Sequence, residues 1–78
     1  MNISYNDKTD LLYLRFDDKK QSVINRRVAD DVVLDIGENE TIVGVEIMDA
    51  SKRLNLEHLL PITYHTKEKE KLLIREKK

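Results

Sequence analysis

From Ile3 to Met48 the apolar residues fall in short strand-like runs, alternating with polar neighbours at Ile3 and Tyr5 and at Val43, Val45 and Ile47, and continuous at Leu11–Leu14 and Val32–Leu34. Ile3 and Tyr5 alternate with polar neighbours, and Asn6-Asp7-Lys8-Thr9-Asp10 then offers residues that tolerate tight turns, so a first strand enters a hairpin. In the second strand, Leu11–Phe16, the side chains of Leu12, Leu14 and Phe16 share one face, while Leu11 and Tyr13 lie on the other with Arg15. Both faces therefore carry apolar groups. The charged run from Asp17 to Gln21 reads as a connector, and Ser22 to Val28 as a third, more polar strand. Val32–Ile36 is rich in β-branched residues and runs through Gly37-Glu38-Asn39-Glu40 into Thr41–Met48, the clearest hairpin in the chain. Val43, Val45 and Ile47 share a face there, with Gly44 and Glu46 opposite.

After Met48 the period changes. Asp49 or Ser51 is placed to cap a short helical turn over Lys52-Arg53-Leu54, and Asn55 to cap another that Pro61 stops. Leu54, Leu56, Leu59 and Leu60 then form a lid at a sheet edge, each contributing about 1.5–3 kcal/mol if fully buried. Beyond it, Ile62-Thr63-Tyr64 fits a strand, Lys67–Lys71 is made of strong helix formers, and the pattern favours a terminal helix over a second hairpin. The predicted fold is α+β: an antiparallel β-meander of four to five strands followed by a short helix (residues 1–60), with a charged C-terminal extension (residues 61–78).

Composition narrows what such a domain can do. A chain of 78 residues makes one domain with a thin core, since so small a domain hides only roughly 60–65% of its unfolded surface. With 14 basic and 15 acidic side chains, no long-range field draws the chain to nucleic acid or an anionic membrane. Charge is nevertheless uneven: residues 67–78 carry +3 and residues 1–66 carry −4. The absence of cysteine removes disulfides, thiolate zinc sites and thiol nucleophiles together. No apolar run approaches the ~18 residues of a membrane span and Met1–Tyr5 lacks a leader pattern, so a cytoplasmic protein is expected.

Candidate chemistry is sparse, and neither catalytic residues nor a cofactor or metal is indicated. Carboxylates are plentiful, but Asp7, Asp10, Asp17 and Asp18 sit in turns, where such residues bond their own backbone. Glu46 stands out, mid-strand beside Gly44, whose missing side chain leaves room for another backbone or a ligand. His58 and His65 have no partner at metal-ligand spacing, and Gly37 and Gly44 cannot build a phosphate-cradling loop. Arg26-Arg27, Lys52-Arg53 and the basic tail lack the aromatic platform of a nucleic-acid surface, because the aromatic residues are only Tyr5, Tyr13, Phe16 and Tyr64 and at least two of them read as core. The two-faced strands point elsewhere: one short helix covers one face, leaving Leu11, Tyr13, Val33 and Ile42 as a patch that calls for a homodimeric or other protein partner.

Three blocks carry a resemblance: Ile3 to Arg15, Val32-Val33-Leu34-Asp35, and Ile42 to Leu54, the last with Gly44-Val45-Glu46-Ile47 and Asp49-Ala50-Ser51. Together they resemble the YuzE-like small proteins, catalogued as domain-of-unknown-function family 2283. The resemblance covers residues 1 to about 60. It implies a compact antiparallel sheet with a following short helix and brings no catalytic residues. The hairpin turn departs from the family pattern, with Gly37 and Glu40 where an acidic residue and a later glycine tend to stand. Proteins of this size and habit also resemble the antitoxin halves of toxin–antitoxin pairs. The functional expectation is a non-enzymatic homodimer acting through protein contacts, then an antitoxin-like partner of a small toxin, then a small-molecule-binding protein or enzyme using Glu46 and neighbouring carboxylates.

Overall fold

The computed structural model describes residues 1–67. Five strands form, β1 (Asn2–Asn6), β2 (Leu11–Arg15), β3 (Ile24–Ala29), β4 (Val32–Ile36) and β5 (Ile42–Met48), followed by a one-turn helix α1 (Ala50–Arg53). Short 3-10 turns lie at Glu38–Glu40 and Leu56–His58. The predicted tail helix falls largely on residues 68–78, outside the described residues.

All neighbouring strands are antiparallel, in the order β1-β2-β5-β4-β3. This corrects the predicted meander, in which each strand would lie beside its predecessor. After β2 the chain passes the ends of β5 and β4 to the far edge, and β3, β4 and β5 then return by hairpins until β5 pairs with β2. The result for β2 to β5 is a Greek key. The crossing is tied down at both ends. The Phe16 and Asp17 amides both donate to the Val43 carbonyl (2.7 and 3.3 Å), and Gln21 Oε1 accepts from the Glu38 amide (2.8 Å). Gly37 sits under this crossing, and a Cβ there would come within 2.6 Å of Val43 Cγ2 and 2.7 Å of Gln21 Cδ. A glycine is required by that close approach.

Each turn has its own chemistry. Asn6 Oδ1 accepts from the Lys8 and Thr9 amides (2.9 and 3.3 Å), an Asx turn of the kind expected between β1 and β2. In the β4–β5 turn the left-handed positions are held by Asn39 and Glu40, both at φ 60°, while Gly37 has φ −99°. The glycine of this turn therefore serves packing, and the backbone strain falls on Glu40.

Register assigns the two faces. Tyr5, Leu12, Ile47 and Val32 lie across from one another in successive strands, as do Ile3, Leu14, Val45, Leu34 and Arg26, so these rows form one face, apolar but for Arg26 at its β3 end. The opposite face carries the rows Ser4, Tyr13, Glu46, Val33, Arg27 and Asn2, Arg15, Gly44, Asp35, Asn25. Among the described residues the buried apolar side chains are Leu12, Val33, Ile36, Val43 and Ala50. That is a thin core, as the length requires.

Candidate functional site

On the polar face, one chain of hydrogen bonds crosses four strands. Tyr13 of β2 leans over Gly44 of β5 and donates its hydroxyl to Asp35 Oδ2 of β4 (2.8 Å), and Asn25 of β3 donates Nδ2–H to Asp35 Oδ1 (2.6 Å). Gly44 is what lets the phenol pass: a Cβ there would collide with the Tyr13 hydroxyl, lie 2.8 Å from Tyr13 Cζ and lie 2.9 Å from the Leu14 carbonyl oxygen. The space beside Glu46 is thus filled by this chain's own tyrosine. Asp35 is only 7% exposed, and its two oxygens are satisfied from opposite sides, as a buried carboxylate demands. Glu46 lies next to this bridge. Burial, then the Asp35 charge and a hydrogen bond to it, push the Glu46 carboxyl above its usual range. Burial also raises Tyr13, with its bond to Asp35 and the charge there adding to the effect.

A second polar centre is Asp10, in the β1–β2 turn at φ 59°. Its carboxylate accepts from the Tyr5 hydroxyl (2.7 Å), the Ser51 amide (2.9 Å) and the Ser51 hydroxyl (2.7 Å), while its backbone carbonyl accepts from the Ala50 amide (3.0 Å). The helix-capping prediction is corrected by this arrangement. Asp49 adopts a left-handed conformation (φ 55°) and makes no side-chain cap bond; the cap comes from Asp10, 41 residues from Ser51 in sequence. Bonds from Tyr5 and from both Ser51 donors hold the Asp10 carboxyl below the usual range. Further support comes from Arg53, 3.5 Å from Asp31 in the β3–β4 turn, whose carbonyl accepts from the Met48 amide (2.8 Å).

The apolar face is covered unevenly. Leu56, Leu59 and Leu60 meet Ile3 and Tyr5 of β1 around a hollow of about 330 Å³ with Glu57 at its rim. The predicted lid is therefore present over β1, although Leu54 and Leu60 keep much of their surface in solvent. Leu14, Val32, Leu34, Val45 and Ile47 are only half-buried. Of the residues singled out as a contact patch, Leu11, Tyr13 and Val33 share the polar face; Leu11 and Tyr13 are half-buried, and Val33 is buried. Ile42, beyond a register shift at Asp35/Ile36, is 48% exposed. His58 Nδ1 lies 3.2 Å from Asn55 Nδ2. Among the described residues no group of three or more metal-ligating side chains converges, and no helix is long and apolar enough to cross a membrane.

These features define a small antiparallel sheet domain with one polar, internally bonded face and one apolar, partly open face. The family model described as "Protein of unknown function (DUF2283)" matches residues 2–51, and the chain belongs to that family. The matched segment runs through all five strands to Ser51 of α1, the partner of Asp10. No curated protein and no solved structure matches the chain.

Asp35 and Asp10 carry most of this polar architecture; Asp10, expected to bond its own turn backbone, instead accepts from Tyr5 and Ser51. Their signals were present but ordinary: an aspartate inside an apolar strand, and an aspartate at the end of a turn. Glu46 and Gly44 were singled out together, and the structure brings both to the Tyr13–Asp35 bridge.

Proposed function

We propose that this chain is a non-enzymatic protein-contact module whose working form is a homodimer, with a second copy laid on the apolar face of the sheet. The observation that carries the reading is the half-open set Leu14, Val32, Leu34, Val45 and Ile47, in a domain with few fully buried apolar residues. Apolar surface removed from water contributes about 25 cal/mol per Å², so a thin core gains more from covering this face than from any exposed polar contact. On the polar face Tyr13, Asp35 and Asn25 are already bonded to one another within the chain, which leaves the apolar face as the better contact surface.

Sedimentation equilibrium on the full chain at 5 and 100 μM tests the proposal. A dimer at both concentrations that becomes a folded monomer on Leu34→Glu supports it, with circular dichroism confirming that the variant keeps its sheet. A monomer at both concentrations refutes the homodimer and directs the search to a heteromeric partner of the same face.

A further inference from the structure

β3 is an edge strand, and all six of its residues are exposed. Among the described residues no strand lies against its outer side, so alternate backbone N–H and C=O groups there remain open to a further strand. Apolar side chains flank the centre, with Ile24 56% and Val28 55% exposed. The centre itself is Arg26-Arg27. Arg26 lies opposite Leu34 and so belongs to the apolar face; Arg27 lies opposite Val33 and belongs to the polar face. The other edge, β1, reads Asn-Ile-Ser-Tyr-Asn and carries no charged side chain.

This charge placement bears on which strand can be added. If two copies of β3 paired antiparallel, every register joining five or six residues of Ile24–Ala29 would set an arginine of one copy directly opposite an arginine of the other. Like charges so close across strands are destabilising. A strand with two consecutive acidic residues meets the opposite condition, because neighbouring side chains point to opposite faces and one acid reaches each arginine. Arg26 is engaged only loosely at present, 3.4 Å from the exposed Glu40 carboxylate, whereas Arg27 donates a 2.6 Å bond to the Asp30 backbone carbonyl. A solvent-exposed pair of the first kind is weak and easily exchanged. On its inner side the ladder with β4 is regular over Ile24–Arg27 and shifts its register before Ala29.

We infer that the outer edge of β3 docks an extended segment of another protein, added antiparallel or parallel as a sixth strand, whose centre is a pair of consecutive acidic residues flanked by β-branched apolar ones. The affinity comes from main-chain bonds, and the Arg26-Arg27 pair supplies selectivity. This inference does not rest on the homodimer, which uses the face of the sheet and is read by mass.

The test uses the full chain, ¹⁵N-labelled, titrated with the blocked peptide Thr-Val-Glu-Asp-Val-Thr and with its counterpart Thr-Val-Lys-Lys-Val-Thr. Amide shifts for the acidic peptide are expected to concentrate at Ile24–Ala29 and to leave Asn2–Asn6 unmoved. Its affinity should exceed that of the lysine peptide by about tenfold at low salt, and the ratio should shrink as salt screens the pairs. The double variant Arg26→Glu/Arg27→Glu, changed only at exposed positions, should reverse the preference. Shifts that avoid β3, equal binding of the two peptides, or an unchanged preference in the double variant would each overturn the inference.

Discussion

Removing one hydroxyl from the polar face tests the bridge that joins four strands. Tyr13→Phe keeps the ring over Gly44 and deletes only the 2.8 Å bond to Asp35 Oδ2. Asp35 remains 7% exposed, so water cannot freely replace the lost donor, while Asn25 still serves Oδ1 at 2.6 Å. Hydrogen bonds to charged groups contribute about 1.5–3 kcal/mol, and a buried acceptor left unpaired costs a similar amount. The two descriptions concern one event and are not summed. We expect Tyr13→Phe to lower unfolding stability by about 1.5–3 kcal/mol, which in a domain of this size lowers Tm by about 6–24 °C. Urea unfolding followed by far-ultraviolet circular dichroism measures this, at one fixed protein concentration because association would add to apparent stability. An unchanged m-value would assign the effect to the native state. In an Asp35→Asn background the same substitution should cost at least about 1 kcal/mol less, the coupling expected of residues in direct contact. A loss below about 0.5 kcal/mol, or additive effects in the double variant, would refute the account of the bridge.

Other consequences follow from the same geometry. The Glu46 carboxyl titrates above its usual range, so its protonated form favours the fold in acid and that contribution is lost as pH rises through the folded-state pKa. Glu46→Gln should therefore stabilise the domain at pH 7 by about 1 kcal/mol and lose its advantage in acid; unfolding curves at pH 4 and 7.5 compare the two. Asp10 behaves oppositely. Its carboxyl titrates below the usual range, so its contribution is present above the ordinary aspartate pKa and disappears as pH falls through the lowered one. Asp10→Ala should reduce stability at pH 7, weaken that acid-side dependence and speed hydrogen exchange at the Ser51 amide; an unchanged exchange rate would contradict its role as the cap of α1. Glu40→Gly should stabilise by about 0.5–1 kcal/mol, because glycine adopts φ 60° without the penalty of a Cβ. The exposed Arg26 pair it gives up is worth little, and a lower Tm would count against strain at that turn.

Much of the strand content was legible in the residues themselves. β1, β2, β4 and β5 fall where alternation and β-branched runs placed them, since both are local properties that hold whichever strand lies alongside. β3 was less sharply defined: its ladder runs over Ile24–Ala29, displaced from the predicted Ser22–Val28, because an exposed edge strand has no buried stripe to set its ends. The short helical turns after Met48 were legible from their capping residues and Pro61, although neither Asp49 nor Asn55 makes a side-chain cap bond. Glu46 and Gly44 were legible as an unusual pair, but their partners were not. Tyr13 and Asp35 are 22 residues apart, and they meet only because β5 stands between β2 and β4.

The residues by themselves thus set the local part: a small antiparallel sheet, its hairpin turns, the apolar stripes of β1, β2, β4 and β5 and membership of a family recognisable over residues 2–51. Tertiary structure alone decided the strand order, the cap that Asp10 supplies to α1 and the bridge from Tyr13 over Gly44 to Asp35 and Asn25. The division has a physical cause. Alternation and turn propensity act within a few residues along the chain, whereas an aspartate's partner is whichever donor the folded backbone brings within about 3 Å of its oxygens.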